Sequence, residues 1–349
     1  MNTFQIAEIS SNQAHAGTKA TEDVITIAEK IGFKPLYVQM NDSKSGILHK
    51  VNRQIRFFKD WQKAYRAVTD ESIVLLQHPF HYPQLTRESI LLKLKKEKKV
   101  HFISIVHDVE ELRTLGKEEY HKHEFEFMMQ IADVLIVHND VMRDFFIKKG
   151  FSKKKIVVLE IFDYLRNERN DELALYEKSI TIAGNLDVEK SGYLMHLSEV
   201  ECKFCLYGPN YSLGNAENIT YGGVLPPDQV PRVLTKGFGL IWDGDSIKTC
   251  RGGFGDYLRY NNPHKLSLYL SSGLPVIIWK QAAEATFVEK NGVGYTVKSL
   301  YEIPELMKKI SENEYKNITE NVSRISKKLI NGEYMQLALR EALSNISNI

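Results

Sequence analysis

Cysteine is scarce in this chain: Cys202, Cys205 and Cys250 are the only three among 349 residues. An odd, sparse set builds no disulfide framework and fits a reducing compartment. Cys202-x-x-Cys205 has the spacing of a redox or zinc motif. It lies, however, within the apolar run Phe204-Cys-Leu-Tyr, with no second Cys or His pair at metal spacing, so a buried strand is the better reading. No apolar run reaches the ~18–20 residues that a membrane span needs. The opening MNTFQIAEIS has neither a charged leader nor an apolar stretch, so no signal peptide is expected. A net charge of +2 argues against a surface built for nucleic acid. Repeats and low-complexity tracts are also missing. What is present is a globular composition, 43% hydrophobic and 26% charged, with length enough for two domains.

Short β-rich runs recur along the chain with amphipathic stretches between them. Phe4–Ile9, Leu36–Val38, Ile73–Leu76, Val100–Val106, Val134–Val137 and Ile156–Leu159 form a first series. Ser179–Ala183, Lys203–Tyr207, Phe238–Trp242, Val276–Trp279 and Tyr295–Val297 form a second. This alternation predicts parallel sheets covered by helices on both faces, an α/β chain of two doubly wound, Rossmann-like domains in tandem. The charged stretch Asp163–Lys178 is the expected linker, and Tyr301–Ile349 is expected to be helical. The boundaries predicted are 1–165, 166–330, and a terminal helix over 331–349.

Such sheets bind ligands beyond the carboxyl ends of their strands, which is where polar and small residues collect here. The stretch YNNPHKLSLYLSSGLPVIIW (260–279) predicts a short helix, a stop at Gly273 and a buried strand. A helix amino terminus carries partial positive charge, so Lys265 in the first turn is unfavourable unless an anion faces it. With His264 and Ser267 it is either a phosphate site or a solvated lysine near a helix end. Gly184-Asn185, with Lys190 behind, is either a close-approach site for a ligand or an ordinary turn; there is no Gly-x-Gly-x-x-Gly fingerprint. Asp243-Gly-Asp245 is either a divalent-ion ligand pair or a turn after a buried strand. Arg251-Gly-Gly-Phe-Gly-Asp256 has the glycine content of a mobile cover. Asp108 after His107, with Glu110 and Glu111 behind, is either a proton acceptor or a helix cap. The segment Arg53–Arg66 mixes five cations with Phe57, Phe58, Trp61 and Tyr65, a pattern for a membrane interface or for an amphipathic helix against the sheet.

Taken together, FGLIWDGDSIKTCRGGFGDYLRYNNPHKLSLYLSSGLPVIIW (238–279), VHDVEELR (106–113), EIFDYL (160–165) and AGNLDVEKS (183–191) closely resemble the bacterial β-1,6-galactofuranosyltransferases of O-antigen and capsule synthesis. A more distant resemblance links the chain to glucosyltransferases that extend glycans on streptococcal serine-rich adhesins. The resemblance implies the two-domain GT-B architecture, with the nucleotide sugar on the second domain and the acceptor in the cleft. It implies that Asn185 and Lys190 lie near the donor phosphates, that Tyr207 lies beside the nucleotide, and that Lys265, Leu266 and Ser267 form the helix start holding the diphosphate. Gly184, Asp243, Asp245 and His264 complete the expected donor side; Asn12, Gly17, His78, His107 and Glu110 form the expected acceptor side. The Glu-x7-Glu motif of many retaining relatives is not found at the strand ends of the second domain, so inversion is expected.

The function expected on this basis is transfer of galactofuranose from UDP-galactofuranose to a glycan acceptor, α-glucosyl and carrier-lipid-linked, with Asp108 as base and Lys265 stabilising the leaving group. No metal cofactor is expected, Asp243 and Asp245 being the residues that would hold one. Cytoplasmic placement with peripheral membrane contact follows, no nucleic acid partner is expected, and a homo-oligomer is compatible with the sequence. UDP-glucose or UDP-galactopyranose as donor, or a non-catalytic sugar-nucleotide-binding subunit, are the alternatives.

Overall fold

The computed structural model describes residues 1–9, 16–40, 46–80, 82–113, 119–166, 172–214 and 216–347, the side chains of 16–18 excepted. The first sheet is built from β1 (Thr3–Ile9), β2 (Lys34–Gln39), β3 (Ile73–His78), β4 (His101–Val106), β5 (Val134–Val137) and β6 (Ile156–Val158). Its order is β2-β1-β3-β4-β5-β6, and every pairing is parallel. Parallel neighbours need crossovers, which α1 (Ala16–Lys30), α2 (Ile47–Ala67), α3 (Arg87–Glu97), α4 (Glu119–Ile131) and α5 (Asp140–Lys148) supply. The central strands β3, β4 and β5 are buried on both faces, as near-continuous apolar runs such as Phe102-Ile-Ser-Ile-Val require, whereas the edge strand β2 is largely exposed.

The second sheet repeats the plan with β7 (Leu175–Ala183), β8 (Lys203–Tyr207), β9 (Ile219–Tyr221), β10 (Lys236–Ile241), β11 (Val276–Trp279) and β12 (Gly294–Val297), in the order β12-β11-β10-β7-β8-β9. Around it run α6 (Val230–Val233), α7 (Gly252–Tyr257), α8 (His264–Ser271), α9 (Ala285–Asn291), α10 (Ile303–Lys309) and α11 (Glu312–Asn331). One core, from Ile161 to Leu329 in sequence, fills this half.

The chain then returns. Ser311 and Glu314 form a reciprocal capping box at the start of α11. Gly332 ends that helix at φ +77°, and a β-carbon there would lie 2.6 Å from Ile27, so both its backbone and its surroundings require glycine. Beyond it α12 (Glu333–Ser347) lays Met335, Ala338, Leu339, Ala342 and Ile346 against Val24, Ile27 and Ala28 of α1 and the strands of the first sheet. That spacing places all five on one helical stripe.

The expected linker needs correction. Asp163 and Tyr164 are buried, and Leu175–Lys178 already belong to β7. The Asp163 carboxylate accepts from the N–H groups of Tyr334 and Met335 at the start of α12, at 3.3 and 2.6 Å. The Tyr164 N–H bonds the Leu329 carbonyl at 3.2 Å. The two strands of chain that pass between the domains therefore bind each other. The charged composition of 163–178 hid this, because a buried acid looks like a solvated one until its partners are known.

Candidate active site

The carboxyl ends of both sheets face a common seam, and the residues at it come from separate elements. Asn139, the N-cap of α5, donates to the Asn262 side chain at 2.9 Å and to the Tyr260 carbonyl at 3.0 Å. Asn262 in turn donates its own N–H to His138 Nδ1 at 2.9 Å and its side-chain amide to the carbonyls of His138 and Glu160, both at 3.0 Å. Burial pushes His138 down to about 3, so its ring is neutral and can accept that N–H. The loop leading into α8 is thus fixed to the end of β5.

From this anchor Pro263 opens α8 with extended backbone and no side-chain cap, and no acid occupies the first turn. The helix amino terminus keeps its partial positive charge for whatever stands before it. Lys265 occupies this turn, with Nζ 2.9 Å from the Asp243 carboxylate at the end of β10. Gly184, at the end of β7, lies directly against it: a β-carbon there would sit 3.1 Å from Lys265 Cε. Gly208, at the end of β8, packs on Gly184 so closely that a β-carbon would lie 1.7 Å from the Gly184 carbonyl oxygen. Two adjacent strand ends are therefore reduced to bare backbone beside one lysine, leaving room for a ligand.

On the opposite side of the seam, Asp108 follows β4 and bonds Arg113 Nη1 at 2.9 Å; the same guanidinium meets Glu110 at 3.1 Å. The buried hydroxyl of Tyr257, from α7 of the second domain, accepts the Val109 N–H at 2.9 Å and hydrogen-bonds Asp108. Burial, with Glu110 adding to it, lifts Asp108 to about 6 against the opposing pull of Arg113 and Tyr257. Its side chain is still 31% exposed, so the carboxylate can be reached. Phe254 of α7 lies between Arg113 and Lys190, whose charged groups sit 5.7 and 5.8 Å from its ring centre. The aromatic face of α7 therefore spans the two halves.

A third link is a stack of rings. Phe162 lies between His107 and His264, with centroids 5.3 and 5.1 Å away and interplanar angles of 12° and 28°. His138 meets Phe162 edge-on at 5.0 Å.

Several sequence expectations are corrected here. His264 is no cation for a phosphate: burial pushes it down to about 4, and both ring nitrogens are enclosed without a partner among the described residues. Leu266 points into the core, and its N–H bonds the Pro263 carbonyl. The Ser267 hydroxyl is buried and donates to the Phe162 carbonyl at 2.7 Å, tying α8 to the crossover segment. His78 is buried under the strand ends, bonded to Glu124 at 2.6 Å, and lines no open surface. Glu110 is likewise buried against Arg113, where it supports Asp108. Asp243 and Asp245 do not act as a pair, since Asp243 faces Lys265 and Asp245 faces Arg251 at 2.7 Å. Asn185 Oδ1 accepts from Asp187 N–H and from Asn210, which makes it the organiser of the turn after Gly184. Tyr207 is half-buried at the end of β8 with its ring against Gly222, and His107 bonds Gln77 at 2.7 Å on the cleft wall. Asn12 lies outside the described residues, and of Gly17 only the helical backbone is described. Among the described residues no three His, Cys, Asp or Glu side chains converge as a metal site. Arg113, Phe162 and Tyr257 were not singled out from the sequence, and their only signal was membership of the long motifs. Phe254 was read only as part of the glycine-rich cover, and Asn139 and Asn262 only as polar residues at a strand end and at a helix start, since what unites these residues is contact between distant parts of the chain.

Family models match both halves: the N-terminal domain of the glucosyltransferase 3-like family over residues 3–161, and its C-terminal domain over 180–342. The β-1,6-galactofuranosyltransferase WbbI of Escherichia coli K12 is 31% identical over 98% of this chain and 99% of its own length. Glucosyltransferase 3 of Streptococcus gordonii is 24% identical over 94% of each. Among solved structures, the lipopolysaccharide outer core galactosyltransferase WaaB superposes with a TM-score of 0.60 at 13% identity, covering 99% of this chain and all of its own. HepE of Anabaena, solved with UDP and glucose, gives 0.60 at 11% identity over 98% of this chain and 100% of HepE.

Asp108 is open to direct measurement. A carbon-detected NMR titration is expected to place its midpoint near 6, and Arg113→Met to move it upward, because the cation that favours the carboxylate is gone. A midpoint near the ordinary ~4 of a solvated aspartate, unchanged by Arg113→Met, would show that the carboxylate is not held in this environment.

Proposed function

Because the chain belongs to the glucosyltransferase 3-like family and is a glycosyltransferase of GT-B architecture, we propose that it transfers galactofuranose from UDP-galactofuranose to a hydroxyl of a glycan acceptor with inversion. The observation that carries this reading is Lys265 at the uncapped start of α8, set against the bare backbone of Gly184 and facing a seam whose other wall is Asp108. An α-glucosyl, carrier-lipid-linked acceptor and a β-1,6 linkage are the finer terms of the proposal. The furanose donor and the β-1,6 linkage are supported by the 31% identity to a β-1,6-galactofuranosyltransferase; the acceptor is proposed on the sequence resemblance alone.

The chemistry is a single displacement. The acceptor oxygen attacks the anomeric carbon while its proton passes to the Asp108 carboxylate. The bond from that carbon to the diphosphate oxygen breaks, and UDP leaves with its electron pair. Lys265, Lys190 and the N–H groups opening α8 face the negative charge that develops on the diphosphate. A base at about 6 is ionised at neutral pH yet still takes a proton readily. Arg113 and Tyr257 hold its orientation. Asp243 keeps the Lys265 ammonium at the mouth of the site before the donor arrives. With lysines and a helix terminus as counter-charge, the reaction needs no divalent ion. The protein then works in the cytoplasm, on acceptors carried at the inner face of the membrane.

Incubation with UDP-galactofuranose, UDP-galactopyranose and UDP-glucose, each with a synthetic α-glucoside and after exhaustive chelation, tests the proposal. Transfer from the furanose donor is the expected result. Transfer from glucose alone would favour the second reading, to which the 24% identity with a named glucosyltransferase gives support. UDP binding without transfer from any donor would make the chain a non-catalytic subunit, and turnover only after manganese or magnesium is restored would overturn the metal-free mechanism.

Two substitutions separate binding from chemistry. Lys265→Ala removes a charge-assisted bond of about 1.5–3 kcal/mol, so UDP affinity should fall roughly tenfold to a hundredfold by calorimetry. Asp108→Asn should leave UDP affinity in place and cut the rate by about 10²–10⁴. In the unmodified enzyme kcat/KM should rise with pH through about 6, as Asp108 loses its proton. An Asp108→Asn enzyme of nearly full rate would remove Asp108 from the chemistry.

A further inference from the structure

Helix α2 has more apolar surface than the fold uses. Phe57, Trp61 and Ala64 are buried against the first sheet. Five further apolar residues on the same helix face outward: Ile47 at 82% exposure, Leu48 at 78%, and Val51, Ile55 and Phe58 at about half. At 100° per residue these five fall within a sector of about 100°, separate from the buried one. Leu85, in the segment after β3, extends the patch, and Tyr82 in the same segment is half exposed. Val51, Ile55, Phe58 and Leu85 line an open apolar groove of about 420 Å³, with Lys50, Gln54 and Thr86 at its rim. A lone soluble chain rarely leaves so much contiguous apolar surface without a use for it.

The charges around the patch indicate what covers it. Lys50, Lys59, Lys63 and Arg66 are exposed along α2. Its single acid, Asp60, is turned inward and accepts the Gln39 N–H. No helix among the described residues is long and apolar enough to cross a membrane. Apolar residues flanked by cations on one helix match an anionic lipid surface, into which the apolar stripe inserts while the cations meet head groups. Strand-to-helix connection also fixes the place: α2 starts after the carboxyl end of β2, so Ile47, Leu48 and Val51 stand at the same end of the first sheet as Asp108.

We propose that α2, with the Tyr82–Leu85 segment, docks this protein reversibly on an anionic bilayer and turns the Asp108 wall of the seam towards it. The orientation rests on the transferase reading above; the docking itself does not.

The test is co-sedimentation of the full chain with vesicles of phosphatidylglycerol and phosphatidylcholine, against vesicles of phosphatidylcholine alone. Binding to the anionic vesicles that is lost at high salt is expected. Val51→Ser with Ile55→Ser, and separately Lys59→Glu with Lys63→Glu, should each weaken it by at least an order of magnitude. Calorimetry with UDP on the same variants shows that they remain folded, since these exposed residues lie apart from Lys265. Wild-type protein that ignores anionic vesicles at low salt would overturn the proposal, as would variants that bind like wild type. So would a dimer in analytical ultracentrifugation that the Val51→Ser, Ile55→Ser variant dissociates, which would make the patch an interface between copies. Full transfer to a soluble acceptor without vesicle binding would sink the docking and leave the transferase reading intact; vesicle binding without any transfer would do the reverse.

Discussion

Everything at the seam depends on where α8 begins. Asn262 is bonded to the end of β5 through His138 and Asn139, and it is the last residue before Pro263 starts the helix. The three bonds fix the direction of α8, and with it the helix dipole and Lys265. If that loop were mobile, an ammonium group on a four-carbon stem would sample solvent, and its charge would count for little. The ring stack through Phe162 and the Ser267 bond to the same crossover segment hold the helix from a second side. The site is thus rigid because it lies at the junction of both domains.

The two walls carry opposite electrostatics for a reason that their surroundings supply. The second-domain wall ends in glycines, a helix amino terminus and lysines, an arrangement that favours an anion. The other wall holds a carboxylate that burial has made more basic, with Arg113 and Tyr257 limiting the shift. A diphosphate and a hydroxyl proton are the complementary loads. Helix α7 links the walls, because Tyr257 reaches Asp108 while Phe254 lies between Arg113 and Lys190. Movement of this short glycine-rich helix would alter both walls together.

Much of the fold was legible. Apolar runs such as Val134–Val137 and Val276–Trp279 are strands with unchanged bounds, and Gly273 follows the end of α8 as expected. β9 was missed because Ile219-Thr-Tyr is short and largely solvent-facing at a sheet edge, without the apolar run that marks its neighbours. The site was legible as a set of strand ends but less so as individual contacts. Lys265 and Gly184 are adjacent in space, as their neighbourhoods suggested. His78, Leu266 and Ser267 occupy the right elements, yet their side chains are committed to the interior. Sequence position indicates which end of the sheet a residue occupies, whereas burial is decided by what packs on it from elsewhere in the chain. For the same reason Tyr257 and Arg113, separated by 144 positions, could be joined only by the fold.

The central claim is that Lys265 is the group that meets the donor's diphosphate. A crystal structure of the protein with UDP measures this directly. The account predicts a diphosphate oxygen within about 3 Å of Lys265 Nζ and of an N–H group in the first turn of α8, beside Gly184. A diphosphate bound away from α8, with Lys265 still paired only to Asp243, would contradict it.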